Sequence, residues 1–523
     1  MRSRWNAQEA SALQGLDLLV YVTRCLGAEE DLVLHGGGNT SAKFDETDFL
    51  GRPTRVLRIK GSGWDLATIE PAGFAPCRQA DLEPLLNLEE ELDDSAMVDA
   101  VAATLLDPKA PRPSIETLLH AFVPETWILH SHADAILSLA NSAGRGRTVR
   151  EVLGERVVLV PYRRPGHRLS QEVGQAYRAH PGAWGVVLMN HGLVTWGPTA
   201  EEAYRRHIEL VTGAEEYLAA HGARIAVEPA GPYPDDTREP LADLAPRLRG
   251  LLCGQGPCVM RLEQSPLVER FVTHPDLHHF SQRGTATPDH LLFTKRVPLI
   301  LSESAVTDNH ALEEAVRGYA DRYAAEYRQH ATGEFPMLDP TPRVVLVPSL
   351  RALWAVGANI KEAARIADIY RHTMAIILAA EGLGGFRTLD PVDAHHAEYW
   401  PLELYKRTLA PKPAELEGRI ALVTGAGSGI GRAIAARLAQ AGAHAACLDL
   451  SAESAAQAAD DIAKQRGKGR AVGVACDVAD EMAVRRGIEE TLLAFGGLDI
   501  VVSNAGAIVA GEIVDLSLEE WER

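Results

Sequence analysis

Hydrophobic and polar positions along the chain switch repeatedly between a helical and a strand period. Apolar residues at helical spacing run through residues 10–26 and 199–220, predicting two amphipathic helices. Between them, short apolar runs at 56–59, 127–129, 157–160 and 186–189 predict strands. The stretch EPAGPYPDDTREP reads as a linker because Pro, Gly and acids interrupt both periods. From 241 to 409 the pattern is mixed, with one legible unit: RVVLVPSL as a strand and turn, a loop, then the helical NIKEAARIADIYRHTMAIILAA. APKPAELEGR predicts a second hinge. From Ile420 the order is strand, glycine-rich turn, helix and strand, the opening of a doubly wound parallel sheet. The predicted class is α/β in three parts, 1–225, 226–410 and 411–523.

Composition narrows this picture. Of the 523 residues, 46% are hydrophobic and 24% charged, an ordinary globular balance. A net charge of −19 argues against nucleic acid as a partner, since phosphate backbones are bound by surplus Lys and Arg. A small anionic substrate stays open, because backbone N–H groups and a few side chains can hold one phosphate. Six cysteines without a CxxC pair argue against a disulfide framework and for a reducing compartment. The N-terminus MRSRWNAQEA lacks a signal-peptide apolar core, and no run approaches the ~20 apolar residues of a membrane span. A cytoplasmic protein without a membrane partner is expected.

Candidate chemistry starts at WILHSHAD. At a strand end, residues two apart share a face, so His130 and His132 can share one metal. A second apolar run in GVVLMNHGLVTWG brings a third imidazole, His191. Three His ligands with an open fourth position describe a catalytic zinc site. Glu116, in RPSIETLLH, is an acid able to carry a proton beside it.

HGGGNTSAK, IKGSGWDL, RPSIETLLH, LHSHAD and MNHG follow one another in the order of the class II aldolase/adducin family, which residues 10–220 resemble. The resemblance implies that His130, His132 and His191 hold Zn2+ and that Glu116 is the acid/base. It also implies that Asn39, Ser62, Gly63 and Ser114 cradle the phosphate of a sugar phosphate, and that sites form between subunits of a homo-oligomer. Family phosphate sites often carry two serines before the acid; here the second position is Ile115.

The second set of motifs is RIALVTGAGSGIGRAIAARLAQAGAHAACLDLS. Gly425, Ser428, Gly429, Ile430 and Gly431 form a glycine turn between strand and helix, as a dinucleotide pyrophosphate requires. Asp449 ends the next strand, where a carboxylate favours NAD over NADP. With Asp477-Val478 and Asn504-Ala505-Gly506, this region resembles the short-chain dehydrogenase/reductase family. There the former pair contacts adenine and the latter triplet steadies the sheet. That family's catalytic Ser and Tyr-xxx-Lys lie beyond the chain's last residue, Arg523, and LSLEEWER reads as the start of a helix. A dehydrogenase half without hydride transfer and with an exposed sheet edge is therefore expected.

The pairing resembles fusions of rhamnulose-1-phosphate aldolase with lactaldehyde dehydrogenase. It implies cleavage to dihydroxyacetone phosphate and lactaldehyde, then oxidation with NAD. A sugar-phosphate 4-epimerase and a non-catalytic adducin-like scaffold are the alternatives. His290, His395 and His396 read as solvated loop histidines rather than a second metal site.

Overall fold

The computed structural model describes the chain apart from residues 49, 224, 226, 228–234, 255, 334, 409–411, 507–511, 513, 515 and 519–523. The described residues group in space into two units. The first combines Met1–Val227, His278–Arg296 and Arg371–Leu409; the second combines Glu228–Leu277, Val297–Tyr370 and Ala410–Arg523. Most of the EPAGPYPDDTREP stretch and of LSLEEWER lies outside the described residues, though Asp235 already opens the helix Asp235–Leu252.

The first unit is built on seven strands: β1 (Asn39–Thr47), β2 (Pro53–Lys60), β3 (Phe74–Arg78), β4 (Trp127–Ser131), β5 (Val157–Val160), β6 (Gly185–Leu188) and β7 (Gly192–Gly197). Their order is β3-β2-β1-β4-β7-β6-β5, antiparallel except for the parallel pair β5–β6. Alternation along β4 divides the core. Trp127 and Leu129 pack with the helices Gly15–Gly27 and Ala200–Ala220, whereas Ile128 faces Leu169 and Val173 of the helix His167–Ala179. The helical period read at 10–26 is broken into Ala7–Ser11 and Gly15–Gly27, and Gly15 has φ +53°. That left-handed backbone suits glycine and stands at the start of the second helix.

The second unit contains two sheets. β8 (Val259–Glu263), β9 (Leu299–Ile300), β10 (Val344–Val347) and β11 (Ala352–Gly357) are ordered β8-β11-β10-β9. β11 occupies the segment expected as a loop after RVVLVPSL. Its residues Leu353 to Val356 are all apolar and buried, so the run has no alternation to reveal it. β12 (Ile420–Thr424), β13 (His444–Asp449), β14 (Ala471–Ala475) and β15 (Ile500–Val502) form a parallel sheet ordered β14-β13-β12-β15. This is the strand arrangement of a doubly wound sheet, with β14 and β15 at its edges among the described residues.

Cys253 and Cys258 are joined as a disulfide, their Cα atoms 5.5 Å apart. The short return from the helix ending at Leu252 to β8 at Val259 brings them together, which cysteine spacing alone did not suggest. Among the described residues, no helix is long and apolar enough to cross a membrane.

Candidate active site

β4 carries His130 inward and ends at Ser131; His132 follows, its N–H bonded to the Leu32 carbonyl (3.0 Å). Ser131 points the other way, to His207 (2.7 Å). The third imidazole comes from the tight connection between β6 and β7, where Asn190 adopts φ +60° and His191 N–H bonds Leu188 (3.0 Å). His130, His132 and His191 bring one ring nitrogen each within 4.8 Å of one another. The Nε2 atoms of His130 and His132 are 3.1 Å apart. His130 Nδ1 is placed to donate to the Leu193 carbonyl (3.0 Å), a tautomer that leaves Nε2 as a lone pair toward the cluster.

Glu116 stands across from the histidines at the head of the helix Thr117–Phe122. Its Oε2 is 3.5 Å from His130 Nε2 and its Oε1 is 3.4 Å from His191 Nε2. Oε2 accepts from Asn39 Nδ2 (2.6 Å), whereas Oε1 is buried without a hydrogen-bond partner. Asn39 is itself oriented, its Oδ1 bonded to His120 Nε2, and Ser41 Oγ lies 2.7 Å from His120 Nδ1. Burial raises the Glu116 carboxyl, but His130, His191 and the Asn39 amide outweigh it and hold it at about 2. Burial lowers His191 to about 4 and His132 well below its ordinary value, so both are neutral near pH 7. Neutral imidazoles, an ionised carboxylate and an orphaned buried Oε1 form a donor set that fits a divalent metal such as zinc.

The glycines around this cluster are required by proximity. A Cβ on Gly192 would lie 2.2 Å from the Ser131 carbonyl and 3.0 Å from the His132 ring. A Cβ on Gly38 would lie 2.6 Å from the His130 carbonyl. The 36–38 turn is pinned from β2, where Lys60 Nζ donates to the carbonyls of Gly36 (2.5 Å) and Gly38 (3.0 Å).

An antiparallel bridge between Gly61 and Pro113 sets Ser62 opposite Arg112 and Ser114 opposite Lys60, with the two serines on a diagonal across it. Ser62 and Gly63 are exposed, and Gly63 has φ +86°. Ser114 Oγ accepts from Asn39 Nδ2 (3.2 Å) and from the Glu116 N–H (3.3 Å). Both contacts of Asn39 Nδ2 thus run to Ser114 and Glu116. Ile115 packs against the Leu57–Leu118 core, which accounts for an apolar residue there.

Sequence reasoning missed His120, although it lies one helical turn after Glu116 inside the motif RPSIETLLH. It also missed a buried pair, His372 Nδ1 with Asp134 Oδ2 (2.5 Å), with Asp31 Oδ1 3.9 Å away. These three could also gather around a cation, but His372 and Asp134 already bond each other. His290 is not a solvated loop residue. It is buried in the helix Pro288–Thr294, with Nδ1 2.8 Å from Thr373 Oγ1.

In the parallel sheet, Gly425 (φ +65°) and Gly429 (φ +52°) turn the chain from β12 into the helix Gly429–Gln440. A Cβ on Gly431 would lie 2.2 Å from the Gly425 carbonyl, while Gly429 has open space beside it, leaving a cradle for an anion. Ser428 precedes the helix and Ile430 is exposed. Asp449 closes β13, accepting from the N–H groups of Gly427 (2.9 Å) and Ser451 (3.0 Å). Asp477 and Val478 are exposed beyond β14. Asn504 Nδ2 donates to the Thr424 carbonyl, and the N–H groups of Asn504 and Ala505 reach Thr424 Oγ1, all at 3.0 Å. Gly506 follows at the end of this staple.

Three family models match the chain: "Class II Aldolase and Adducin N-terminal domain" over residues 17–218, "Aldolase class II, second domain" over 239–406, and "short chain dehydrogenase" over 419–523. The chain is 37% identical over 527 residues to the uncharacterized oxidoreductase YuxG of Bacillus subtilis (strain 168), covering 99% of this chain and 76% of that protein. It is 39% identical over 107 residues to a short-chain dehydrogenase/reductase of Armillaria gallica, covering 20% of this chain and 41% of that protein. Among solved structures, the N-terminal class II aldolase domain of a conserved protein from Thermoplasma acidophilum is 41% identical. It covers 42% of this chain and 99% of that one, with a TM-score of 0.39.

Proposed function

Given that this chain belongs to the family joining class II aldolase/adducin domains to a short-chain dehydrogenase domain, we propose that its first unit is a zinc-dependent aldolase cleaving a ketose 1-phosphate. The observation that carries this reading is the convergence of three imidazoles, with the unpartnered Glu116 Oε1 3.4 Å from His191 Nε2. His130, His132 and His191 would hold the metal through their Nε2 atoms. A bound zinc ion supplies Lewis-acid stabilisation to the negative charge that develops on the ketone half.

The chain's own groups supply the rest. Asn39 fixes Glu116 Oε2 and leaves Oε1 to move a proton between the substrate and the released fragment. Ser62, Gly63 and Ser114 would receive the phosphate, and Asn39 would act by holding Glu116. The proposed substrate is rhamnulose 1-phosphate, from the pairing of the domains, and the proposed assembly is a homo-oligomer. In the second unit, the glycine turn would take the pyrophosphate of NAD. Asp449 would bond the adenosine ribose and repel a 2′-phosphate.

A panel of ketose 1-phosphates assayed for released dihydroxyacetone phosphate, with and without chelator, tests the reading. Chelator-sensitive release, greatest with rhamnulose 1-phosphate, is expected. Isomerisation without release would replace the aldolase by an epimerase, and no turnover with any sugar would leave the scaffold reading.

A further inference from the structure

The turn at 285–290 lies far along the chain from the aldolase motifs, yet it belongs to the same spatial unit, contacts one histidine of the cluster and is tied through amides to the neighbour of another. Asp289, in the first turn of the helix Pro288–Thr294, places Oδ2 3.1 Å from His132 Nδ1. His132 turns its other nitrogen, Nε2, toward His130 Nε2. Separately, the Ala286 carbonyl accepts from Asn141 Nδ2 (2.8 Å). Asn141 Oδ1 accepts from Asn190 Nδ2 (2.8 Å), and Asn190 Oδ1 accepts from Arg145 (2.6 Å). Asn190 directly precedes His191 and carries the left-handed backbone that aims it. One turn therefore contacts the His132 imidazole through a carboxylate and is bonded, through a pair of amides, to the residue that precedes His191.

That turn is built to hold its place. Thr287 caps the helix by accepting from the His290 N–H (3.1 Å), and Thr285 Oγ1 donates to the Thr287 carbonyl (3.0 Å). Thr388 Oγ1 bonds the Thr285 carbonyl, and buried His290 meets Thr373. A histidine that ligates metal through one nitrogen gains orientation and basicity when the other N–H is held by a carboxylate.

We infer that Asp289 is a positioning residue for the metal centre, holding His132 with Nδ1 protonated and Nε2 free to ligate. The second aldolase domain thereby completes the first domain's site within the same chain. This rests on the reading of the three histidines as metal ligands.

The test is Zn2+ affinity of the full-length chain, measured by competition with a chromophoric chelator, for wild type, Asp289→Ala, Asp289→Asn and Asp289→Glu. Visible absorption of the Co2+-substituted proteins is recorded alongside. Asp289→Ala should lose roughly 10- to 100-fold in affinity and shift the Co2+ bands, with the metal-free melting temperature unchanged. Asp289→Asn, which keeps an acceptor, should fall between, and Asp289→Glu should recover part of the loss. Wild-type Zn2+ binding with an unchanged Asp289→Ala affinity and spectrum overturns this inference alone. A wild-type chain that binds no Zn2+ overturns the metal reading and this inference together.

Discussion

Glu116 uses its two carboxylate oxygens differently, one held by Asn39 and one left bare inside the cluster. Such a group keeps its charge because its neighbours outweigh burial, and it needs no further rearrangement to accept a proton. Tolerance is low at Gly192, where any side chain would press on the Ser131 carbonyl and the His130 and His132 rings. Gly192→Ala should cut zinc content by at least about tenfold, as expected when ligand orientation is disturbed. Elemental analysis of the purified variant checks this, with far-ultraviolet circular dichroism to establish that it is folded. Stoichiometric zinc in the variant would show that the imidazoles do not form the site. The histidines and Glu116 were legible because each sits in a short motif. His120 and Asp289 were not, since their roles come from what they meet in space.

At the level of elements, legibility followed pattern strength. Residues 157–160 and the helix Ala200–Ala220 stand where periodicity placed them, with Thr199 as the cap. β1 escaped notice because its sequence, NTSAKFDET, is polar although its first five residues are buried. Tertiary partners such as His120 for Asn39 and Ser41, and the carbonyls around Lys43, satisfy those polar groups. Within the second unit, Arg249 ties three elements together. It donates to the carbonyls of Cys258 (2.7 Å) and Gly418 (3.0 Å) and to Asp499 (2.7 Å). Arg249→Ala should cost about 2 kcal/mol, because buried carbonyls lose their donor; urea unfolding measures it. Burial opposes the Asp499 charge, but Arg249 holds its carboxyl below the ordinary value. The Asp499 share of the loss should therefore be full above a pH of about 4, the ordinary carboxyl value. It should shrink as pH falls through the lower folded value. A loss independent of pH would place all of it in the carbonyls.

For the whole molecule, domain order and spatial grouping are different things. The family models match three consecutive segments, whereas residues 278–296 and 371–409 fold with the first unit. The proposed chemistries also draw on different side chains, which gives a test for the protein as it stands. Chelator should abolish sugar-phosphate cleavage while leaving NADH binding unchanged by fluorescence titration. NADPH should bind at least about tenfold more weakly, the factor for a difference of roughly 1.4 kcal/mol at the ribose. Equal affinity for the two would remove Asp449 from its proposed role. The sequence by itself determined the α/β class, the two families and the residues grouped in motifs, because hydrophobic period and close spacing are local properties. Only tertiary structure decided that Asn39 turns toward Glu116, that His372 meets Asp134, and that a turn near residue 289 closes on His132. Those contacts join positions scores to hundreds of residues apart, where no local pattern carries the information.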